Sequence, residues 1–214
     1  ISSGTWSLLG ILGEPILSAE AREAGYTNEG GITGNIRFLK NIMGLWVIQE
    51  IRHELGDAYS FAQLEEEARK TGEKAGGTDW SIDLNLPRFM SPPSMIGAVK
   101  AEYGRTGQRV PETPGELAFC VYSSLARCYR DAIRDLEELT GKTYESISII
   151  GGGSKDGYLN SLTAACTGKR VYAGPAEATA AGNLLTQMKL ADDPAVEEGF
   201  AALVKRSFDI KAIP

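Results

Sequence analysis

The sequence has 214 residues, of which 43% are hydrophobic and 23% charged, as in an ordinary soluble globular protein. Its net charge of −6 argues against a nucleic-acid partner, because a phosphate-binding surface normally needs a clustered basic excess. No apolar run approaches the ~18–20 residues that a membrane-spanning helix requires, and the three cysteines lack metal-ligand spacing. These features favour a cytoplasmic protein without a membrane partner.

The chain opens with "ISSGTWSLLGI", which lacks an initiator methionine and reads as a strand over residues 1–12. We therefore expect it to be a piece of a longer protein. Strand-like residues also occupy 35–40, and a helix is predicted after about Lys40 from the spacing of four apolar residues, Ile42, Leu45, Ile48 and Ile51. A second helix is predicted to start at Ser60 as its N-cap, and its triple glutamate at 65–67 is interpreted as a solvated face.

The middle of the chain contains the strongest helix signal. A loop rich in glycine and proline is predicted over 76–93, followed by a short helix that ends at Gly104. The next helix is predicted over 114–140, because Thr113 and Glu116 form a capping box, Pro114 occupies the first helical position and Gly141 follows the end.

After residue 145 the pattern changes to alternating strands and helices. A strand is predicted over 146–150, a helix over 156–167, a strand over 170–173 and a helix over 176–190. This βαβα order predicts parallel strands flanked by helices. Ligands of such folds bind beyond the carboxyl ends of the strands, which is where Gly151, Gly152 and Gly153 fall.

The stretch "SISIIGGGSKDGYLNSL" (146–162) therefore has two interpretations: a backbone left bare for an anionic ligand at a helix N-terminus, or a tight strand-to-helix turn. It is not a P-loop, since no Gly-Lys-Ser/Thr closes it. It also fits a dinucleotide fingerprint poorly, because Asp156 stands at the third glycine position. A loop against adenosine and the inner phosphates remains. Asp156 can cap the helix but opposes a phosphate, so we expect the phosphates to lie away from the helix end.

Several motifs together carry a resemblance: "SSGTWSLLG" (2–10), "TNEGG" (27–31), "FLKNIMGLW" (38–46), "GGGS" (151–154), "LNSL" (159–162) and "AGPAEATAAGN" (173–183). In this order they resemble the C-terminal half of rhamnulokinases, which belong to the FGGY family of sugar kinases. The resemblance covers essentially the whole chain. It implies an α/β, actin-like (ribonuclease H-like) ATPase domain with a mixed sheet flanked by helices. Residues 1–214 would be the C-terminal nucleotide-binding lobe of two lobes that close over ATP and a ketose sugar.

The resemblance also assigns roles to individual residues. Thr5 matches a residue that contacts the nucleotide phosphates, and Gln49 matches another nucleotide contact. Asn41 matches a sugar-binding position, for which an amide that donates and accepts is suited; its alternative is an N-cap of the following helix. Gly152 matches the adenosine-contacting position, within an ATP-binding turn formed with Gly151 and Gly153.

The implied reaction transfers a phosphoryl group from ATP, with Mg²⁺, to a ketose such as L-rhamnulose. No convincing catalytic base is found, because the single histidine, His53, falls late in a helix. The resemblance places the catalytic aspartate upstream of residue 1 and most of the sugar site in an N-terminal lobe, so this chain alone is expected to be inactive and to bind nucleotide feebly.

Three further expectations concern the C-terminal part. Lys155-Asp156 replaces the Gln-Asn common in the family, which leaves open a kinase for L-fuculose or L-xylulose, or a non-catalytic sugar or nucleotide sensor. Asn160 is expected to brace the glycine turn. Glu177 and the small residues of 178–182 are expected to serve close helix packing.

Overall fold

The computed structural model describes residues 1–32, 34–76 and 80–213. The strands are β1 (Ser2–Ser3), β2 (Trp6–Gly13), β3 (Tyr26–Gly30), β4 (Ile36–Met43), β5 (Ser146–Ile149), β6 (Arg170–Ala173) and β7 (Lys211–Ile213). The α-helices are α1 (Ala19–Glu23), α2 (Trp46–Glu54), α3 (Phe61–Ala75), α4 (Met95–Arg105), α5 (Pro114–Thr140), α6 (Gly157–Thr167), α7 (Ala178–Leu190) and α8 (Phe200–Ser207). The predicted loop over 76–93 contains a 3₁₀ turn at Pro87–Phe89, and its residues 77–79 lie outside the described part.

The N-terminal sheet is antiparallel, in the order β1-β2-β4-β3. Alternate residues of β2 point toward opposite faces. Ser7 and Leu9 are buried on the face that packs against α5, where the Ser7 hydroxyl hydrogen-bonds the hydroxyl of Tyr129 across 2.7 Å. Asn41 pairs with Leu8 and is exposed on the opposite face. The sheet therefore has one core face, and its other face, here called the open face, is exposed at Arg37 and Asn41 although Leu39 and Met43 are buried on it.

The C-terminal sheet has the order β5-β6-β7, with β5 and β6 parallel as predicted. The antiparallel strand β7 was not predicted. A parallel bridge between Ser2 and Ile150 joins this sheet to β1, supported by a 2.8 Å bond from the Ser3 amide to the Ile150 carbonyl. The two sheets thereby act as a mixed sheet flanked by helices, which confirms the predicted α/β class.

Helix α5 forms the centre of the core and has the predicted bounds. Thr113 and Glu116 make the capping box, and Gly141 ends the helix in the left-handed conformation. Its apolar stripe is buried throughout, namely Leu117, Val121, Leu125, Tyr129, Ala132 and Leu136. Helices α3 and α6 pack on α5, so the long helix holds the start of α6 against the middle of α3.

The predicted helix start after Lys40 is wrong. Strand β4 continues to Met43, which pairs with Trp6, and α2 begins only at Trp46 with Leu45 as its N-cap residue. Pairing with β2 supplies hydrogen bonds that a local helical pattern cannot reveal, so Ile42 belongs to the strand. The alternative of Asn41 as an N-cap is therefore excluded.

Helix α7 does not show the predicted close packing. Ala180 and Gly182 are exposed, a Cβ on Gly182 would meet no atom within 4 Å, and Leu185 is the buried residue of this helix. Glu177 is also exposed. None of the described helices is both long and apolar enough to span a membrane.

Candidate functional site

The three consecutive glycines differ in what surrounds them and therefore in why glycine stands at each position. Gly151 has φ +83°, and a Cβ there would lie 2.8 Å from the carbonyl oxygen of Ser3. A Cβ on buried Gly153 would lie 2.6 Å from Cβ of Ser3. Gly152 is exposed, and a Cβ on it would meet nothing within 4 Å. Contact with β1 therefore explains Gly151 and Gly153, while Gly152 alone presents a bare backbone to open space.

Asn160 holds this turn in place, as predicted. It is fully buried in α6, and its Nδ2 donates to the carbonyl of Ser154 at 3.1 Å. The amide of Gly151 donates in turn to the carbonyl of Pro175 at 3.0 Å. Both sides of the turn are thus anchored by hydrogen bonds while its middle is exposed.

The N-terminus of α6 is occupied by two carboxylates. Asp156 is the N-cap, and its Oδ1 accepts from the amide of Leu159 at 2.9 Å, which confirms its predicted capping role. Glu65 reaches across from α3, and its Oε1 accepts from the amide of Tyr158, also at 2.9 Å. Two donors that could bind an anion are thus already satisfied by acidic groups. A phosphate at this helix end would meet negative charge.

Burial raises the pKa of the Asp156 carboxyl to about 6, and the negative charge of Glu65 adds to this rise. The Leu159 amide, the Tyr122 hydroxyl and the positive charge of Arg69 oppose it. Burial is the larger effect. The pKa of Asp156 therefore lies well above that of an exposed aspartate.

A cavity of about 390 Å³, here called the apolar cavity, lies between α2, α3 and the glycine turn. Its lining residues are Leu45, Ile48, Gln49, Phe61, Ala62, Glu65, Tyr122, Gly152, Lys155 and Asp156. Aliphatic and aromatic groups of α2 and α3 supply one part of the wall, and the acidic groups around the start of α6 supply another. Such a cavity suits a flat heterocycle that carries hydrogen-bond donors.

A second cavity of about 440 Å³, here called the sheet-edge cavity, lies on the open face of the N-terminal sheet. Its lining residues are Ser2, Ser3, Gly4, Trp6, Leu8, Asn41, Gly151, Gly152, Ala176, Glu177 and Thr179. Gly152 lines both cavities. The predicted sugar residue Asn41 and the predicted adenosine residue Gly152 are therefore parts of one continuous region.

Thr5 and Gln49 are also brought together. Thr5 lies in the turn between β1 and β2, and its hydroxyl donates to Oε1 of Gln49 at 3.2 Å. The start of α2 is fixed beneath this turn, because the amide of Trp46 donates to the carbonyl of Thr5 at 3.1 Å. Gly44 permits that approach, since a Cβ there would lie 2.7 Å from the same carbonyl oxygen.

Sequence reasoning missed Phe61, Glu65 and Tyr122 as cavity residues. Phe61 and Glu65 are one helical turn apart in α3, a spacing that was available as a signal. His53 behaves as predicted: its side chain is 76% exposed near the end of α2, with Nδ1 3.6 Å from a carboxylate oxygen of Asp57.

Comparison with known proteins gives a consistent result. The model of the FGGY family of carbohydrate kinases, C-terminal domain, matches residues 1–191. A rhamnulokinase of Bacillus subtilis (strain 168) is 49% identical, over 99% of this chain and 43% of its own length. A rhamnulokinase of Halalkalibacterium halodurans is 45% identical, over 99% of this chain and 44% of its own length. The chain thus spans less than half the length of these relatives.

A solved structure, the xylulose kinase from Bifidobacterium adolescentis, aligns with a TM-score of 0.48 and 21% identity, over 80% of this chain and 32% of that chain.

Proposed function

Because the chain belongs to the FGGY family of carbohydrate kinases, we propose that residues 1–214 are the C-terminal nucleotide-binding lobe of a two-lobed, ATP-dependent sugar kinase. The relatives are more than twice as long as the matched region, which leaves room for an N-terminal lobe as the partner of this one. Closure of two lobes over the substrates excludes water from the phosphoryl group and orients the acceptor hydroxyl.

The observation that carries the proposal is the position of Gly152 between two cavities. In the proposed complex the adenine lies in the apolar cavity against Ile48 and Phe61. The phosphates pass the bare backbone of Gly152 toward Thr5, away from the carboxylates of Glu65 and Asp156. This route gives the anionic part of ATP neutral donors and keeps it from the acidic helix end.

The sugar is proposed to bind in the sheet-edge cavity at Asn41, whose amide both donates and accepts hydrogen bonds as a polyol requires. Thr5, in the turn between β1 and β2, is proposed to contact the phosphates between the two substrates. The residues of this lobe thus bind and orient ATP and one side of the ketose. The group that removes the proton from the acceptor hydroxyl is proposed to be an aspartate upstream of residue 1.

ATP supplies the transferred phosphoryl group, and Mg²⁺ is the cation such a transfer requires. Within residues 1–32, 34–76 and 80–213, no group of three or more His, Cys, Asp or Glu side chains is placed to hold a metal ion.

Rhamnulokinase is the name of the relatives that match over nearly the whole chain, so we propose L-rhamnulose as the acceptor and L-rhamnulose 1-phosphate as the product. The test is an ADP-release assay on the full-length protein, with L-rhamnulose, L-fuculose and L-xylulose compared at equal concentrations. Preferred turnover of L-rhamnulose is the expected result. Preference for another ketose would identify that ketose as the substrate instead. Absence of turnover with all three would favour a non-catalytic sensor.

A further inference from the structure

The acidic part of the wall of the apolar cavity contains the carboxyl group of Asp156, beside Glu65 and Tyr122. This inference rests on the proposed function, since it concerns the base of the bound nucleotide. If the phosphates leave past Gly152, the purine edge opposite the ribose, which carries N1 and the 6-substituent, lies away from that glycine. Besides Gln49 and Lys155, the polar side chains that line the cavity are those of Glu65, Tyr122 and Asp156, and we take these three to meet this edge.

The surroundings of Asp156 come from four elements. From α3 it faces the carboxylate of Glu65, which is held 3.2 Å from the guanidinium of Arg69. From α5 it faces the hydroxyl of Tyr122, and the buried Tyr129 also interacts with its charge. On its own turn the neighbouring ammonium of Lys155 is exposed and lines the cavity mouth with Gly152. From α6 it accepts the amide of Leu159.

We propose that Asp156 reads the 6-substituent of the purine and that its proton decides which substituent is accepted. Ionised Asp156 is acceptor-only, so it takes a hydrogen bond from a 6-amino group such as that of adenine. Protonated Asp156 carries an O–H, so it donates to a 6-oxo group such as that of hypoxanthine. The same site therefore binds amino and oxo purines with opposite dependence on pH.

The position of the transition follows from the local charges. The pKa of Asp156 is raised to about 6 by burial and then by Glu65. Above this pH the carboxylate favours the amino purine and repels the oxo purine; below it the preference weakens. Glu65 acts as a positioning residue, because its negative charge raises the pKa of Asp156 while its Oε1 accepts the Tyr158 amide.

The experiment is calorimetric titration of the full-length protein with ADP and with IDP between about pH 5 and pH 8. These nucleotides differ at N1 and at the 6-position and share the same phosphates, so phosphate ionisation cancels in the ratio of their dissociation constants. We expect the ratio Kd(IDP)/Kd(ADP) to rise about tenfold from pH 5 to pH 7.5, the size of one charge-assisted hydrogen bond. A ratio that stays constant over this range would overturn the proposal.

Three variants sharpen the test. Asp156→Asn keeps an N-cap residue that can accept the Leu159 amide and should make the ratio independent of pH. Glu65→Gln should move the transition to lower pH, because it removes a negative charge beside Asp156. Glu66→Gln is the matched control, since this neighbour does not line the cavity and should behave as the unmodified protein.

The proposed function and this inference fail in different ways. Tight ADP binding with a ratio Kd(IDP)/Kd(ADP) that does not change with pH would reject the recognition of the base by Asp156. The proposed nucleotide site would still stand. A pH-dependent ratio that persists in Asp156→Asn would assign the effect to another group and also reject the proposal. Absence of binding by either nucleotide would reject both.

Discussion

The hydroxyl of Thr5 donates a 3.2 Å hydrogen bond to Oε1 of Gln49, joining the turn between β1 and β2 to the second turn of α2. The two residues are 44 positions apart in the chain. Gln49 lines the apolar cavity, and Thr5 belongs to the turn that leads into the open face of the sheet. The bond therefore connects the proposed base site to the proposed phosphate path.

The Thr5–Gln49 pair predicts a functional defect without a folding defect. Thr5→Val keeps the side-chain shape and removes the hydroxyl, so we expect kcat/KM for ATP to fall about tenfold, the worth of one hydrogen bond. Because Thr5 is exposed, the free energy of unfolding should change by less than about 0.5 kcal/mol. Steady-state kinetics and thermal unfolding of the full-length protein measure both. Thr5→Ser, which retains the hydroxyl, should restore most of the activity; equal loss in both variants would contradict the prediction.

The glycine turn offers a matched pair of substitutions. Gly151→Ala places a Cβ 2.8 Å from the Ser3 carbonyl oxygen at φ +83°, so we expect a loss of stability of about 1–3 kcal/mol from backbone strain alone. Gly152→Ala meets open space and should change stability by less than about 1 kcal/mol.

Nucleotide affinity, unlike stability, should be affected directly by Gly152→Ala. The Cβ of Gly152→Ala stands where the two cavities meet, so we expect ADP affinity to fall although the protein remains folded. Chemical unfolding and ADP titration of both variants test this. Unchanged ADP affinity in Gly152→Ala would remove Gly152 from the nucleotide site.

Local signals were sufficient to predict α5 and the βαβα segment after it. Thr113, Glu116 and Gly141 specify the ends of α5 by hydrogen bonds between near neighbours, so the sequence alone contains the information. The boundary between β4 and α2 depends instead on pairing of Met43 with Trp6, 37 residues earlier in the chain. No local pattern distinguishes that strand end from a helix start.

The residues of the candidate site also divide into those that sequence motifs indicated and those that only the packing of distant segments reveals. Matched motifs indicated Thr5, Gln49 and Gly152, and the structure brings them to one region. Glu65 was interpreted as part of a solvated face, because a run of three glutamates is normally exposed. Its role depends on the Tyr158 amide, 93 residues away, which only the packing of α3 beside α6 provides.

For Asn41 we predict that a substitution affects the binding of the sugar and not that of ATP. Its side chain is exposed on the open face of β4 and lines the sheet-edge cavity. Asn41→Ala should raise the KM for the ketose about tenfold, through loss of hydrogen bonds to hydroxyl groups, and leave the KM for ATP unchanged. The control is Arg37→Ala, an exposed change on the same strand outside the cavity. A parallel rise of both KM values would indicate a general disturbance of the sheet instead of a sugar contact.

For Glu102, which lies outside the glycine turn, we predict that a substitution lowers the stability of the fold. Its side chain is 2% exposed and accepts 2.6 Å hydrogen bonds from Arg88 and Arg105. The Arg105 guanidinium, and then Arg88, hold the pKa of this carboxyl below its usual range against the effect of burial. Glu102→Gln leaves both cations without their counter-charge, and because they are partly solvated we expect a loss of about 1–3 kcal/mol.

The lowered pKa of Glu102 determines in which direction its contribution to stability changes with pH. A carboxyl with a lowered pKa in the folded state contributes stability above its unfolded pKa of about 4.3, and that contribution is lost as pH falls through the folded pKa. Urea unfolding at pH 7 should therefore separate Glu102→Gln from the unmodified protein, and the difference should shrink at about pH 3. Glu138→Gln, at an exposed position on α5, should leave stability unchanged at both pH values. A difference for Glu102→Gln that persists undiminished in acid would show that packing, and not the charge of Glu102, stabilises this part of the fold.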